Sequence, residues 1–461
     1  MLSDDVLLCI FDSYRRKWSP DKLWLWDDLV HVCRRWRRII FGCPRYLKLY
    51  LPCASKTDVL AMLDIWPALP LIFHPNLNAK DADEDDIIGA LEHRDRMAEI
   101  SVWGFKCSQS TFKKCVALMQ EPFPVLTSLG FSGDIEMMFV ITDAFLGGSA
   151  PLLQRIYLGG IRFPGLPKLL SSTSDLVDLY LGDFPMTGEG HIPPDVMTTC
   201  LSVLTKLRSL TITFLRQKSP PYPADQCPPP SVHTVLPALT KLLLGGPHGY
   251  LEDLVGRVDA PLLNSGKLEF YDEPVFDTPR VPQFIHRTEM FKLPCRVQVQ
   301  FHKEYVTYKT DVDISFRSSI SPEKYYDLSF PCSGSPAQVA ITGRIFAQCP
   351  PLVSRVEFLG FGDNYFEEKK WWEVITPSRW LGFLRQFPAV QTLHLPVIGE
   401  VPCIAHMLGR LEGERAAEVL PALRTIELVC LPRKRSESLR LLEPFLVARR
   451  GSEHLVVVNV V

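Results

Sequence analysis

The side chains best suited to chemistry in this sequence stand at spacings that do not assemble a reaction centre. Gly147-Gly148-Ser149-Ala150 lacks the glycine after the serine that a nucleophile elbow needs for its sharp turn. Gly266-Lys267 has neither the upstream glycine nor the following Ser or Thr of a phosphate-binding loop. The 11 histidines include no H-E-x-x-H pair, and the 13 cysteines include no C-x-x-C, so zinc-ribbon, zincin and thioredoxin-like chemistry lack their spacing. Cys107 and Cys115 fall two helical turns apart and read as small buried hydrophobes on one helix face. The acidic run at positions 81–86 lacks the glycine and distal glutamate of an EF-hand loop. It reads as a solvated helix start running into Ile87, Ile88 and Leu91, with a calcium site as the minor alternative. Arg433-Lys434-Arg435 is read as a solvated turn before the last helix, with a nuclear address as the other reading. The expectation is therefore no catalytic group, no metal and no cofactor.

Composition narrows the class. The chain has 461 residues, a formal net charge of −2 and 46% apolar residues. That supports a sizeable core and gives no hint of nucleic acid or membrane as a partner. Met1 to Phe11 has no basic segment, and Asp4 and Asp5 interrupt it, so it does not read as a signal peptide. Scattered cysteines in odd number fit reduced thiols in cytosol or nucleus.

Helices are expected first. Ser3 is placed to cap a helix whose first turn holds Asp4 and Asp5, where the helix dipole favours negative charge. Val6, Leu7, Ile10 and Phe11 form one apolar stripe on it. After a break from Tyr14 to Pro20, Asp27 and Asp28 open a second helix. Leu29, Val32, Cys33, Trp36 and Ile39 share a face of that helix, Arg34, Arg35, Arg37 and Arg38 flank it, and Pro44 stops it.

Three pieces of this region, Leu2 to Phe11, Leu29 to Arg37 with its V-C-R-x-W core, and Pro44-Arg45-Tyr46-Leu47, resemble the F-box motif. The whole chain resembles the F-box-like proteins of mushroom-forming fungi. Ser3 stands where that family usually has proline, and the tryptophan-rich segment 15–26 is longer than its usual spacer. The resemblance implies that Leu2, Val6, Leu7, Ile10, Phe11, Leu29, Val32, Cys33, Trp36 and Ile39 dock a Skp-type adaptor held on a cullin scaffold. It further implies that the rest of the chain presents a protein target to a ubiquitin ligase. A non-degradative interaction scaffold is the alternative. A terminal cap on a repeat array is the bland reading of the same helices.

Beyond Met97 the pattern apolar-x-x-apolar-x-apolar recurs. Its second apolar position falls at Ile100, Leu129, Ile156, Leu179, Leu210, Leu242, Leu268, Val297, Leu328, Val356, Leu393, Ile426 and Val456, at intervals of 23 to 37 residues. Helical periodicity lies between, over 111–120, 195–204, 250–258, 378–387 and 436–450. Proline separates helix from strand at Pro124, Pro237 and Pro421. These features predict an α/β fold with two domains: an all-α F-box unit over 1–50, and an irregular leucine-rich-repeat-like solenoid over 51–461. The solenoid is expected to have a curved parallel sheet with helices outside. The pattern loses its first apolar slot at Ser265, Pro294 and Tyr325, and 216–233, with its prolines, reads as a surface loop. Alternation along each strand puts Trp103, Arg155, Tyr157, Asp178, Tyr180, Lys241, Lys267, Glu269, Tyr271, Arg355, Glu357, His394 and Glu427 on the concave, target-binding face.

Overall fold

The protein is seen in a computed structural model, which describes residues 2–16, 27–43, 49–51, 63, 70–74, 84–103, 109–133, 139–186, 188–216, 233–273, 280–292, 295–303, 310–321, 323–333, 335–363, 377–397, 407–411, 414–430, 435–449 and 456–460. Residues 217–232 of the expected loop 216–233, Pro44 to Leu47, residues 17–26 of the spacer 15–26, residues 81–83 of the acidic run 81–86, Cys107, and Arg433 and Lys434 of the basic run lie outside the described residues. Packing divides the chain into two compact units. The first comprises 1–192 with 203–207, and the second 193–202 with 208–461. The helices of the first fifty residues belong to the first unit.

That unit opens with three helices, α1 (Asp4–Arg16), α2 (Asp27–Val30) and α3 (Arg34–Phe41). The expectation of a single second helix, and of a break beginning at Tyr14, needs correction. Helix α1 continues to Arg16. Cys33 adopts an extended backbone, φ −161° and ψ 168°, and its Sγ accepts from the Trp36 amide, so it caps a separate third helix. Strands follow: β1 (Leu49–Leu51), β2 (Leu71–Phe73), β3 (Met97–Trp103), β4 (Ser128–Ser132), β5 (Arg155–Gly159) and β6 (Asp178–Phe184). Every neighbouring pair is parallel. Leu51, Phe73, Ile100, Leu129, Ile156 and Leu179 stand in one register row, and all are buried. Helix α4 (Glu84–Glu92) buries Ile87 and Leu91, α5 (Gln109–Leu118) buries Phe112 and Cys115, and α6 (Leu166–Ser171) buries Leu166, Leu169 and Leu170.

The second unit starts at α7 (Pro194–Ser202) and continues with β7 (Ser209–Phe214), β8 (Lys241–Gly246), α8 (His248–Gly256), β9 (Ser265–Phe270) and α9 (Arg280–Arg287). Next come β10 (Cys295–Lys303), β11 (Thr310–Ser318) and β12 (Tyr325–Cys332), then α10 (Ser335–Ala347), α11 (Pro350–Val353) and β13 (Val356–Asp363). The unit closes with α12 (Pro377–Leu384), β14 (Thr392–Val397), α13 (Glu414–Glu418), β15 (Thr425–Cys430), α14 (Arg435–Arg449) and β16 (Val457–Val460). Strands alternating with helices in a mostly parallel sheet define an α/β, leucine-rich-repeat-like array.

The array is interrupted where the sequence pattern failed. Strand order runs β7-β8-β9-β12-β11-β10-β13-β14-β15-β16. The chain leaves β9, passes two strand positions to reach β10, and returns through β11 to β12 as an antiparallel meander. β12 then lies parallel beside β9, and β10 parallel beside β13. The extra strand β11 was missed, and several core slots move with it. The true row is Leu210, Leu242, Gly266, Tyr326, Phe316, Val297, Leu359, Leu393, Ile426 and Val458. Leu268 and Leu328 lie one core position further along, while Val356 and Val456 precede their row residues Leu359 and Val458. The empty slot beside Ser265 has a physical cause. Gly266 occupies it, and a β-carbon there would collide with the buried ring of Tyr326 on the next strand.

The prolines also do more than stop helices. In Phe123-Pro124-Val125-Leu126, Ala150-Pro151-Leu152-Leu153, Leu236-Pro237-Ala238-Leu239, Ala260-Pro261-Leu262-Leu263 and Leu420-Pro421-Ala422-Leu423, the fourth residue's amide donates to the first residue's carbonyl at 2.9 to 3.2 Å. This is a β-turn with proline at its second position, where a fixed φ near −65° is already suitable. The buried leucine that closes each turn then feeds the next strand.

Candidate functional site: a helical docking face and a basic strand-face pocket

The expected adaptor residues divide into two sets. Leu7, Phe11, Leu29, Val30 and Ile40 form a closed core, with Trp36 and Ile39 half-buried against it. The ring of Phe11 meets Trp36 edge-on, with centroids 4.8 Å apart. Leu7 and Phe11 are 4% and 0% exposed, whereas Val6 and Ile10 are 43% and 42% exposed. The first pair therefore holds the helices together, because the i and i+4 positions toward α3 turn inward. The expectation that they face a partner is corrected. Leu2, Val6 and Ile10 recur every four residues and make an exposed stripe on and just before α1; Val32 and Cys33 are also exposed. Ser3 caps α1 through its Oγ to the Val6 amide, 3.4 Å. Arg35 joins the helices by hydrogen bonds to the Asp4 carboxylate and the Leu2 carbonyl, 2.6 and 2.7 Å.

On the strands, residues that alternate with the buried ladder share the opposite face. In the first unit Tyr157 and Tyr180 are direct register partners, and their rings stack with centroids 3.8 Å apart and an interplanar angle of 4°. The Tyr180 ring leans over Gly182, where any β-carbon would collide with it. Burial, the hydrogen bond with Tyr180 and nearby charge push the Tyr157 hydroxyl well above the usual phenol range. Arg155 pairs with Glu99 at 3.4 Å, and Asp178 stands opposite Arg155 in register. Trp103 occupies the register position opposite Ser132; its side chain lies outside the described residues.

In the second unit the same face carries three rows, the middle one holding Lys267, Asp327, Ser315, Gln298, His394 and Glu427. The outermost row toward the strand C-termini of β9 holds Glu269, Asp313 and Gln300. Glu269 takes ion pairs from Arg216 and Lys267. Arg216 also covers the Tyr271 ring at 4.8 Å. Burial pushes the Asp313 carboxyl up, but hydrogen bonds from His302 and Ser329 and the charges of His302 and Lys267 outweigh it. They hold the group below its ordinary value. His302 is raised in turn, chiefly by its hydrogen bond to Asp313.

The opposite row runs Lys241, Ser265, Tyr325, Arg317, Arg296 and Phe358 across six neighbouring strands. Between the rows a cavity of about 250 Å³ is lined by Arg296, Val297, Gln298, Ser315, Arg317, Phe358, His394 and Glu427. Its cations lie over aromatic rings: the Arg296 guanidinium is 3.8 Å from the Phe358 ring centre, and that of Arg317 is 5.9 Å from the Tyr325 ring centre. His394 and Glu427, both expected here, meet at 3.2 Å. Arg355 and Glu357, also expected here, do not join them. A bulge in β13 inserts Glu357 between the partners of Cys295 and Arg296, so Phe358 takes the face position. Arg355 lies just before the strand, donates to the Lys292 carbonyl and lines a different cavity. Arg296, Gln298, Ser315, Arg317 and Phe358 were missed. The strict alternation of Cys295 to Phe301 and of Asp311 to Arg317 was the available signal for an antiparallel pair.

Among the described residues no group of three or more His, Cys, Asp or Glu could hold a metal ion, and no helix is long and apolar enough to cross a membrane. No family model matches the chain, and no curated protein matches it. Among solved structures, the crystal structure of a TLR13–ssRNA13 complex aligns with 90% of this chain at 10% identity and a TM-score of 0.30. This chain spans 49% of the length of the TLR13 structure's chain.

Proposed function

We propose that the chain is the substrate-recognition subunit of a Skp–cullin–F-box type ubiquitin ligase, acting by binding and not by bond-making. The observation that carries the reading is the exposed stripe Leu2, Val6 and Ile10 with Val32 beside it, on three helices whose own core is already complete. Apolar side chains left over after a core closes mark an interaction surface. The residues are those at which the F-box resemblance places the Skp-type adaptor. The strand face then carries the target. Tethering the target beside a charged conjugating enzyme raises its effective concentration, which is all a receptor must supply.

The test is co-purification of a recombinant Skp-type adaptor with the full chain. Val6→Asp and Ile10→Asp should abolish it while far-UV circular dichroism and melting temperature stay unchanged. Undiminished capture by a chain lacking residues 1–50 would overturn the proposal. Adaptor captured with no cullin in the native complex would assign the chain to a non-degradative scaffold instead.

A further inference from the structure

We propose that a cavity in the helix layer of the second unit is a binding site for a medium-chain carboxylate, an acid with an apolar chain and one anionic head. The cavity has a volume of about 250 Å³ and opens between α9 and α11. Its origin is the interrupted repeat. The chain passes two strand positions between β9 and β10, roughly 10 Å at about 4.8 Å per strand. Helix α9 precedes that step, and α11 precedes β13 on its far side. The short helical turn Glu289–Lys292 packs against both helices, and space remains between them.

Ile285 of α9, Phe291 of the turn and Leu352 of α11 form the floor, and all three are buried. The Phe291 ring meets those of Phe316 and Tyr326 edge-on, so the floor is continuous with the core. At the rim stand His286, Lys292 and Arg355, all exposed. Among the described residues no Asp or Glu lines the cavity. Lys292 shares its charge with Glu289 at 2.5 Å. Arg355 has no ion-pair partner among the described residues. Part of its guanidinium donates to the Lys292 carbonyl, which anchors it at the rim and leaves its other N–H groups for an acceptor. The lining thus has two halves, and each selects half of a ligand. An apolar floor favours an apolar body. A guanidinium without an acid favours one anionic head, which a carboxylate supplies in the geometry that arginine meets bidentately. A small inorganic anion leaves the floor wet, and an uncharged hydrocarbon leaves the guanidinium unpaired.

The experiment titrates the full chain with octanoate well below its micellar concentration, with octanol and with acetate. Binding is read by calorimetry and by thermal shift. Octanoate should fill one saturable site and raise the melting temperature. Octanol should bind at least about tenfold more weakly, because it lacks the charge that Arg355 meets, and acetate should not bind. Arg355→Gln should weaken octanoate to the level of octanol and leave octanol unchanged. Leu352→Phe adds bulk at the floor and should weaken both; Arg355 is exposed, so its variant keeps the fold even if Leu352→Phe does not. No octanoate binding, or binding unchanged in Arg355→Gln, overturns the site. Equal affinity for octanol overturns the anionic head, and unchanged binding in a folded Leu352→Phe overturns the floor. Octanoate binding lost in Val6→Asp would place the ligand on the exposed stripe of α1 and overturns the site as well. The inference does not rest on the receptor reading above, because the titration contains no adaptor.

Discussion

At the scale of single residues, neighbouring positions on one helix have opposite duties. Leu7 and Val6 differ little in type, yet one closes the helical core and the other faces solvent. Leu7→Asp would bury an unpaired charge, so it should unfold the helical unit, whereas Val6→Asp should melt like the wild type. Phe11→Ala should cost about 3–5 kcal/mol, read by chemical denaturation, through the cavity it leaves beside Trp36. Cysteines divide in the same way. Cys9 and Cys33 are exposed, while burial pushes the Cys295 and Cys349 thiols up to about 12. Iodoacetamide at mildly alkaline pH should therefore label Cys9 and Cys33 in the native protein and reach the buried pair only after denaturation, as mass spectrometry of peptides would show. Added adaptor should slow labelling at Cys33. Early labelling of Cys295 would contradict its burial.

Elements are held by turns and by a few polar clamps. Arg449 near the end of α14 is almost wholly buried, and its guanidinium donates to the carbonyls of Ala416, Ala417, Leu420 and Pro421 at 3.1 to 3.5 Å. Those carbonyls belong to the end of α13 and the proline turn after it, so one side chain ties that turn to the last helix. Arg449→Ala should lower stability by about 2–4 kcal/mol in denaturant unfolding, because its buried bonds to the Ala416 and Leu420 carbonyls and its half-buried bonds to those of Ala417 and Pro421 are lost together. Arg449→Lys should not restore it, since an ammonium cannot span the same fork. In the meander, Tyr326 fills the space that Gly266 leaves, but its buried hydroxyl has no hydrogen-bond partner among the described residues. Tyr326→Phe should raise the melting temperature, and Gly266→Ala should lower it by forcing the ring aside.

For the whole molecule, pH is the most direct probe of the buried polar inventory. The thiols of Cys200, Cys295, Cys332 and Cys349 all titrate above their ordinary value in the folded chain, because burial disfavours the thiolate. A raised acid gives stability that is full below its unfolded value and is lost as pH rises toward the folded one, since only the unfolded chain releases the proton. The unfolding free energy should therefore fall from about pH 9 upward, and replacing Cys295 or Cys349 by alanine or valine should flatten that slope. An equally steep alkaline loss in both variants would assign it to other groups.

The alternation of leucine-rich strands and helices was legible in the chain because burial of one strand face imposes a period of two, and burial of a helix face a period near 3.6. Ile100, Leu129, Ile156 and Leu179 in the first unit, and Leu210 and Leu242 in the second, fall at the expected positions. Helices in the five expected segments also form, within a residue or a few at each end. The apolar residues of the first helix were legible too, but not their direction, since Val6, Leu7, Ile10 and Phe11 are equally apolar in sequence. Only the packing of α3 against α1 decides which of them remain exposed. The meander was hidden for a related reason. Its order depends on which distant strands pair, and Gly266 satisfies its core position through a ring contributed by Tyr326, 60 residues later. The pocket inherits that dependence. Arg296 and Arg317 are separated by a hairpin in sequence, Phe358 and His394 come from later strands, and nothing local to any of them specifies the cavity that tertiary pairing makes of them.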